Sequence, residues 1–349
     1  LGRLKYGSPL DCQVKTDIFL RIDSIVADAI SHEAMPGCQV LAAKDGIVFL
    51  NKAYGNHTYR SDRRVTTDDL YDLASVTKVT ATVPAIMKLY EEERIQIEKP
   101  LSKYLDFLDT TNKKDITIRN ILLHKAGLVS WIPFYLNTLE PVFSSQSLYN
   151  QAISTNYPYR INPGQYLNRY TRFKKGYFSA KQDSLYPYPV AAGIYGSRSL
   201  PDTLFAAINR SAVDRRPQYK YSDLGFILLY RMVEQVTGST FDRYLDNTFY
   251  KSIGMSDLCF NPATAVTPEE IIPTEEDQLF RKQVIHGYVH DPAAAMMGGI
   301  SGHAGLFSHA NDLAKLMQMY LNQGTYGDIQ YISPETIALF TSKQNGERE

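Results

Sequence analysis

Hydrophobic residues in the first fifty positions change from helical to strand-like spacing. Residues 17–34 carry apolar side chains three and four positions apart, which predicts an amphipathic helix that Pro36-Gly37 ends. Two β-rich runs, 38–43 and 47–52, then flank Lys44-Asp45-Gly46. Because an Asp-Gly pair between such runs favours a tight turn, the pattern predicts a β-hairpin.

Helical spacing returns in later segments. It predicts helices over residues 75–93, 115–128 and 223–237, and a further helix that Ser308 caps. Pro84 lies inside the first of these helices, where a proline removes one backbone hydrogen bond. Gly238 occupies the position just beyond the third, where glycine commonly ends a helix.

Residues 167–218 differ from the rest of the chain in composition. They are rich in Tyr, Arg and Lys, and several Gly and Pro residues interrupt them, which predicts a long, mostly irregular insertion. Loops of that length inside a compact domain are usually functional or mobile. We therefore expect the insertion to contribute to function.

The order of the predicted elements indicates an α+β fold. Residues 1–95 form the first part of an α/β domain, residues 96–295 a mainly helical domain that includes the insertion, and residues 296–349 an incomplete return to the α/β domain. Two strands alone make a poor sheet, so another segment has to complete it. We expect an antiparallel sheet flanked by helices, beside a large, mainly helical region.

Composition excludes several classes of protein. The 349 residues suffice for one large domain or two closely packed ones, and a hydrophobic share of 44% is ordinary for a globular protein. With 37 basic and 37 acidic residues the net charge is zero, which argues against a nucleic-acid footprint or an anionic-membrane anchor. No apolar run is long enough to span a membrane. Cys12, Cys38 and Cys259 form no CxxC motif, so we expect no metal and no cofactor.

Ser75 and Lys78 form an S-x-x-K pair at the start of a predicted helix. Positions three apart share a helix face, so the hydroxyl and the amine can meet. A serine hydroxyl needs a nearby base to become a nucleophile, and a lysine whose neutral form is favoured can be that base. The alternative is an ordinary N-cap serine followed by an exposed lysine.

A second candidate group is Tyr221-Ser222-Asp223, directly before the helix over 223–237. Tyr221 could share a proton with Lys78 and pass it to a leaving group. The alternative is a helix cap that follows a core tyrosine. Among the histidines, His124 reads as a packed helix residue, and the spacing of His286 and His290 would suit a metal only on a helix, which Gly287 and Pro292 oppose.

These pieces occur within an ordered series of motifs. The series is LASVTK (73–78), LLHKAGL (122–128), Pro163-Gly164, YSDLGFILL (221–229), VEQVTG (233–238), IGMSDL (253–258) and GGISGHAGLFSHANDLAKL (298–316). It resembles the class C β-lactamase family with its D,D-peptidase, D-amino-acid peptidase and esterase relatives, from about residue 17 to residue 343. The resemblance implies a β-lactamase/transpeptidase-like fold, Ser75 as the acylated nucleophile, and Lys78 with Tyr221 as the proton-transfer pair.

The chain departs from the family pattern in three places. Asp223 stands where the family usually has Asn, which replaces a neutral donor near the substrate by a negative charge. The insertion over 167–218 joins the chain close to Tyr221, so we expect it to border the cleft. His303-Ala304-Gly305 has the letters of the family's third motif but leads into a helix, so we expect His303 to be structural or to contact substrate at most. The late strands of the family sheet are expected to be missing from this chain.

Two functions follow from this resemblance. The first is a serine hydrolase that acts on D-amino-acid peptides, esters or β-lactams linked to the bacterial cell wall, in an extracytoplasmic location. The alternative is a non-catalytic cell-wall or partner-binding module. A chain that begins at Leu1 suits fusion behind an upstream domain, which in some relatives is a β-N-acetylhexosaminidase.

Overall fold

A computed structural model describes residues 2–216 and 218–344 of the chain. Leu1, Pro217 and residues 345–349 lie outside the described residues. The start of the predicted range 1–95, the end of the range 296–349 and one position of the insertion are therefore not described. The division of the chain into domains stays a prediction.

The secondary structure alternates between short strands and helices along the chain. The strands are β1 (Lys5–Tyr6), β2 (Gly37–Lys44), β3 (Ile47–Gly55), β4 (Tyr71–Asp72), β5 (Leu139–Pro141), β6 (Tyr149–Asn150), β7 (Tyr159–Asn162), β8 (Gln165–Leu167), β9 (Thr171–Phe173), β10 (Phe178–Ser179), β11 (Tyr188–Ala191), β12 (Ile194–Gly196), β13 (Cys259–Phe260), β14 (Glu275–Asp277), β15 (Gln283–Ile285), β16 (Leu306–Ser308), β17 (Thr325–Tyr326) and β18 (Ile329–Gln330). The helices are α1 (Ile18–Ser31), α2 (Val83–Glu91), α3 (Ile118–Leu122), α4 (Leu200–Arg210), α5 (Leu224–Thr237), α6 (Phe241–Leu245), α7 (Lys251–Ile253), α8 (Pro292–Met296), α9 (Ala310–Leu321) and α10 (Pro334–Thr341).

The predicted hairpin forms one side of the first sheet. β2 and β3 pair antiparallel, and Asp45 and Gly46 both have positive φ angles, 53° and 78°, as the tight turn requires. β1 pairs parallel with β3 and supplies a third strand that the sequence pattern does not predict. Within the described ranges, the outer edge of β2 has no strand partner.

A second sheet joins three distant parts of the chain. β16 lies between β13 and β4, so residues near 72, 260 and 307 meet in one small antiparallel sheet. The Leu73 N–H continues this pairing by donating to the Leu306 carbonyl at 2.9 Å. Ser75 follows directly, so this sheet fixes where the S-x-x-K segment begins.

The helix that begins after Ser75 accommodates Pro84 through a wide π-type turn over Lys78–Thr82, which leads into α2. The missing N–H of Pro84 leaves one carbonyl of the preceding turn without a backbone donor. The Tyr320 hydroxyl donates to the Val79 carbonyl and the Tyr250 hydroxyl to the Thr80 carbonyl, both at 2.9 Å. Two tyrosines from later segments thus satisfy the turn that the proline disturbs.

Several helix predictions need correction at their ends. The helix expected over 115–128 is only α3, because Thr117 caps its start and His124, with φ of 54°, lies beyond its end. Ser308 is not the cap of α9, since it belongs to β16 and the His309 ring accepts from the Asp312 N–H instead. The predicted end of α5 is confirmed, because Gly238 has φ of 68°.

The predicted insertion over 167–218 contains more regular structure than expected. β10, β12 and β11 form a small antiparallel sheet there, β9 pairs with β5, and β8, which ends at Leu167, pairs with β6 and β7 just before the insertion. The helix α4 follows, with Leu200, Leu204 and Ile208 fully buried. The strands have two to four residues, too few to give a readable alternation. The middle of the chain therefore combines the expected helices with small sheets.

The core centres on α5, whose residues from Leu224 to Val233 are buried except for Arg231. Gly225 allows α3 to approach, since a Cβ at that position would lie 2.4 Å from the Ile121 Cγ2 atom. After α9, the described residues hold the β17–β18 hairpin and α10. The absence of the late family strands stays a prediction.

Tyr250→Phe removes a buried donor and should lower the free energy of unfolding by about 1–3 kcal/mol, because the Thr80 carbonyl loses its partner. Urea unfolding measures the change. Tyr331→Phe is the matched control, since the buried Tyr331 hydroxyl has no hydrogen-bond partner among the described residues. Equal effects of the two variants would contradict this account of the Pro84 turn.

Candidate active site

Lys78 and Ser75 meet as the helical spacing predicts. The Lys78 Nζ atom lies 2.9 Å from the Ser75 Oγ atom, 3.1 Å from the His303 carbonyl oxygen and 2.7 Å from the Asp223 Oδ1 atom. The lysine side chain is only 4% exposed, whereas Ser75 is exposed. The alternative of a surface lysine beside an ordinary cap is therefore wrong.

These three oxygens suit both protonation states of the lysine. An ammonium has three donors, which can serve the Ser75 hydroxyl and the His303 carbonyl while its charge pairs with the Asp223 carboxylate. A neutral amine keeps a donor for the His303 carbonyl, and its lone pair can accept the Ser75 hydroxyl proton. A proton can therefore pass from Ser75 to Lys78 without any other contact being broken.

Asp223 contacts the lysine. Its carboxylate forms an ion pair with Lys78 across 2.7 Å and is about one-fifth exposed. The substrate contact expected for Asp223 stays a prediction.

Tyr221 approaches the lysine with its ring. The Lys78 Nζ atom lies over the Tyr221 ring, 4.9 Å from its centroid. The same atom lies 5.7 Å from the centroid of the Phe226 ring. No hydrogen bond joins the Tyr221 hydroxyl to Lys78 or Ser75, and the side chain is 42% exposed. The structure brings Tyr221 to the site, but proton sharing through its hydroxyl stays a prediction.

His124 is a site residue that the sequence reasoning treated as a packed helix residue. Its ring lies 4.4 Å from the Tyr221 ring, and its Nδ1 atom accepts from the Ser222 N–H at 3.1 Å. Burial lowers the pKa of His124, and the Lys78 charge lowers it further against the opposing effect of Asp223. A neutral imidazole therefore holds the Tyr221–Asp223 segment in place. The signal available in the sequence was its place in the LLHKAGL motif.

The cleft beside Ser75 has a volume of about 480 Å³. The polar part of its wall comes from Ser75, Lys78, His124, Tyr221 and Thr341. The rest of the lining is mainly apolar: Val79, Val83, Met87, Leu122, Phe226, Met317, Tyr320 and Phe340. A larger cavity of about 980 Å³, between the turn at Gly46 and α9, has no serine in its lining, so the candidate chemistry lies at Ser75.

His303 does not contact the cleft. Its side chain is 2% exposed and lies 2.8 Å from both the Asp291 carboxylate and the Ser301 hydroxyl. Although burial opposes it, the His303 imidazole holds the pKa of Asp291 at about 2. The sequence-based option of a substrate contact is corrected: His303 takes part in the site through its backbone carbonyl on Lys78.

The histidines considered for metal binding have protein partners. His286 contacts the Ile271 carbonyl, and the His290 ring lies 3.0 Å from the Glu275 carboxylate. Within the described part of the chain, one group has ligand spacing: Asp257, His309 and Asp312. Both ring nitrogens of His309 are engaged by the other two residues, and Asp312 also pairs with Lys315, so the group has structural partners already.

None of the helices in the described ranges has the length and apolar character needed to cross a bilayer.

Comparison with known proteins adds a family match. The model of the family described as "Beta-lactamase" matches residues 22–348. A protein of Escherichia coli O157:H7 named "Putative D-alanyl-D-alanine carboxypeptidase" is 31% identical over 334 residues, which cover 88% of this chain and 65% of that protein. The chain thus spans slightly less than two thirds of the length of this relative.

Solved structures share the fold at low sequence identity. A penicillin-binding protein homologue from Pyrococcus abyssi matches with a TM-score of 0.61 and 19% identity, over 91% of this chain and 59% of its own. A class C β-lactamase from Rhodobacter sphaeroides matches with a TM-score of 0.56 and 15% identity, over 92% of this chain and 69% of its own.

The lowered pKa of His124 predicts a pH-dependent stability. The folded state keeps the imidazole neutral, so its contribution is fully present above the ordinary value of about 6.5 and is lost as pH falls below it, with a slope of up to about 1.4 kcal/mol per pH unit. His124→Asn keeps an acceptor for the Ser222 N–H but cannot titrate, so its unfolding free energy should fall less between pH 7 and pH 5.

Chemical denaturation at several pH values measures this difference. The control is His32→Asn, because the His32 side chain is 74% exposed. If wild type and His124→Asn show the same pH slope, His124 is not held neutral in the folded protein.

Proposed function

We propose that this chain, which belongs to the β-lactamase family, is a serine hydrolase that forms an acyl-enzyme on Ser75. The family resemblance and the α+β fold of the β-lactamase/transpeptidase type are confirmed by the family match and the solved structures. The observation that carries the proposal is the 2.9 Å contact between the Ser75 hydroxyl and the buried Lys78 amine, at the wall of an open cleft.

The proposed reaction has two stages. In the first, Lys78 accepts the Ser75 hydroxyl proton while the Oγ atom attacks a substrate carbonyl carbon. The new ester bond forms, the bond to the leaving group breaks, and the leaving group takes up one proton. In the second, water attacks the ester, the acid product leaves and the Ser75 hydroxyl is restored.

The surrounding groups have distinct proposed roles in this reaction. Asp223 and the His303 carbonyl stabilise Lys78 when it carries the proton. The Ser75 N–H donates to no backbone carbonyl in the described ranges, so it can donate to the oxyanion that develops on the substrate. Tyr221, after rotation of its exposed side chain, delivers the proton to the leaving group.

The proposed substrates are D-alanyl peptides of the cell wall, with small esters and β-lactams as further acyl donors. The name of the Escherichia coli relative supports the peptide, and cell-wall peptides imply an extracytoplasmic place of action. The insertion ends beside the cleft, because the Lys220 N–H donates to the His124 carbonyl at 2.9 Å. We therefore propose that residues 167–218 influence substrate choice.

A fluorescent phosphonate tests the nucleophile directly. Wild type should be labelled covalently, and Ser75→Ala should abolish labelling because the attacking oxygen is gone. Ser61→Ala, away from the cleft, is the control and should be labelled like wild type. A folded wild-type protein that takes no label would contradict the hydrolase and favour the non-catalytic binding module.

Lys78→Ala tests the base. The rate of acylation should fall by at least about 10²-fold, the usual scale for loss of a general base. A time course of phosphonate labelling measures the rate. The control is Lys103→Ala, which changes an exposed lysine. A decrease of only a few-fold would remove Lys78 from the proton-transfer step.

A further inference from the structure

The residue before the nucleophile has an unusual backbone conformation. Ala74 has φ of 44°, in the left-handed region that alanine rarely occupies. Such conformations persist only where neighbouring contacts hold them. Ser75 comes next in the chain, so the contacts that hold Ala74 also set the direction of the Ser75 side chain.

The Asp72 carboxylate supplies a contact of this kind. Its Oδ1 atom accepts from the Ala74 N–H at 2.8 Å, and its Oδ2 atom accepts from the His290 N–H at 2.6 Å. Burial raises the pKa of Asp72, and the two N–H bonds oppose that rise. The pairing of Asp72 with Phe307 between β4 and β16 fixes the backbone of this residue.

The hydrogen bond from the His290 N–H to Asp72 links the turn at Ala74 to a segment that contacts His303, whose carbonyl accepts from Lys78. Asp291 follows His290, and its Oδ1 atom lies 2.8 Å from both the Ala294 N–H and the His303 Nε2 atom. The His303 carbonyl in turn accepts from Lys78. Asp72 is therefore bonded to two segments. One carries Ser75 directly after Ala74, and the other, at His290 and Asp291, contacts the His303 side chain.

We propose that Asp72 is a positioning residue for the nucleophile: it holds the left-handed turn at Ala74 and thereby sets the Ser75 Oγ atom against the Lys78 Nζ atom. The effect on catalysis rests on the proposed function of Ser75 and Lys78. The effect on the turn itself does not depend on that function.

Asp72→Asn is the first test. Asparagine replaces one carboxylate oxygen by an NH₂ group, which cannot accept, so one of the two N–H groups loses its acceptor. The phosphonate labelling rate should fall by about 10²-fold, the scale of a small misplacement of a reacting group, with reversible binding of the phosphonate unchanged. Asp62→Asn makes the same charge change at an exposed position and should label like wild type. Labelling of Asp72→Asn within about twofold of wild type would overturn the proposal.

Ala74→Gly separates positioning from general stability. Glycine adopts positive φ freely, so in the Asp72→Asn background it should recover labelling by about tenfold. A residue with only a structural role would give no recovery. If Asp72→Asn does not fold, the test is Ala74→Val, which strains the same turn while Asp72 is kept. A β-branched residue resists positive φ, so labelling should fall, and unchanged labelling would contradict the proposal.

Amide hydrogen exchange gives a reading that needs no turnover. The Ala74 N–H should exchange at least about tenfold faster in Asp72→Ala than in wild type, because this variant removes both carboxylate oxygens and with them the acceptor of that N–H. Unchanged exchange would overturn the role of Asp72 even in a protein that takes no label. In another outcome, wild type takes no label while the Asp72 variant still speeds exchange of the Ala74 N–H. That result would contradict the proposed function and support the positioning of the turn.

Discussion

The burial of Lys78 is the constraint on which the rest of the site depends. A charged amine inside a protein is costly unless oxygen atoms surround it, and here they come from residues 75, 223 and 303. Of these three residues, only residue 75 is close to Lys78 in sequence. The β4–β16 pairing and the start of α5 have to bring the other two to the same point. Nucleophile, helix and glycine-rich loop are therefore held together by one lysine side chain.

The parts of the fold that sequence could predict are those with local causes. The β2–β3 hairpin follows from Asp45-Gly46, and the Ser75–Lys78 contact follows from helical spacing. The strands of the insertion are too short to show a period, and the role of His309 as cap depends on β16 ending at Ser308. His124 contacts the Ser222 N–H, and one of the two bonds of Asp72 comes from the His290 N–H; these backbone groups are nearly a hundred residues away or more, which no local pattern shows.

His303 shows how packing decides the meaning of a short motif. The letters His-Ala-Gly suggest a cleft residue, but the preceding Gly302 packs against α5 so closely that a Cβ would lie 2.4 Å from the Phe226 carbonyl oxygen. The loop is pressed into the core, and the imidazole is buried with it. What remains for the site is the main-chain oxygen of His303, which accepts from Lys78.

The tyrosine hydroxyls that satisfy the turn before Pro84 have a consequence for folding order. The carbonyls of Val79 and Thr80 receive donors from residues 320 and 250, so this helix cannot complete its hydrogen bonding while only its own segment has been synthesised. Contacts between residues so far apart in sequence form slowly, because a long loop has to close first. The hydrogen bonding of the helix that carries Lys78 is therefore complete only when segments as distant as residue 320 have packed against it.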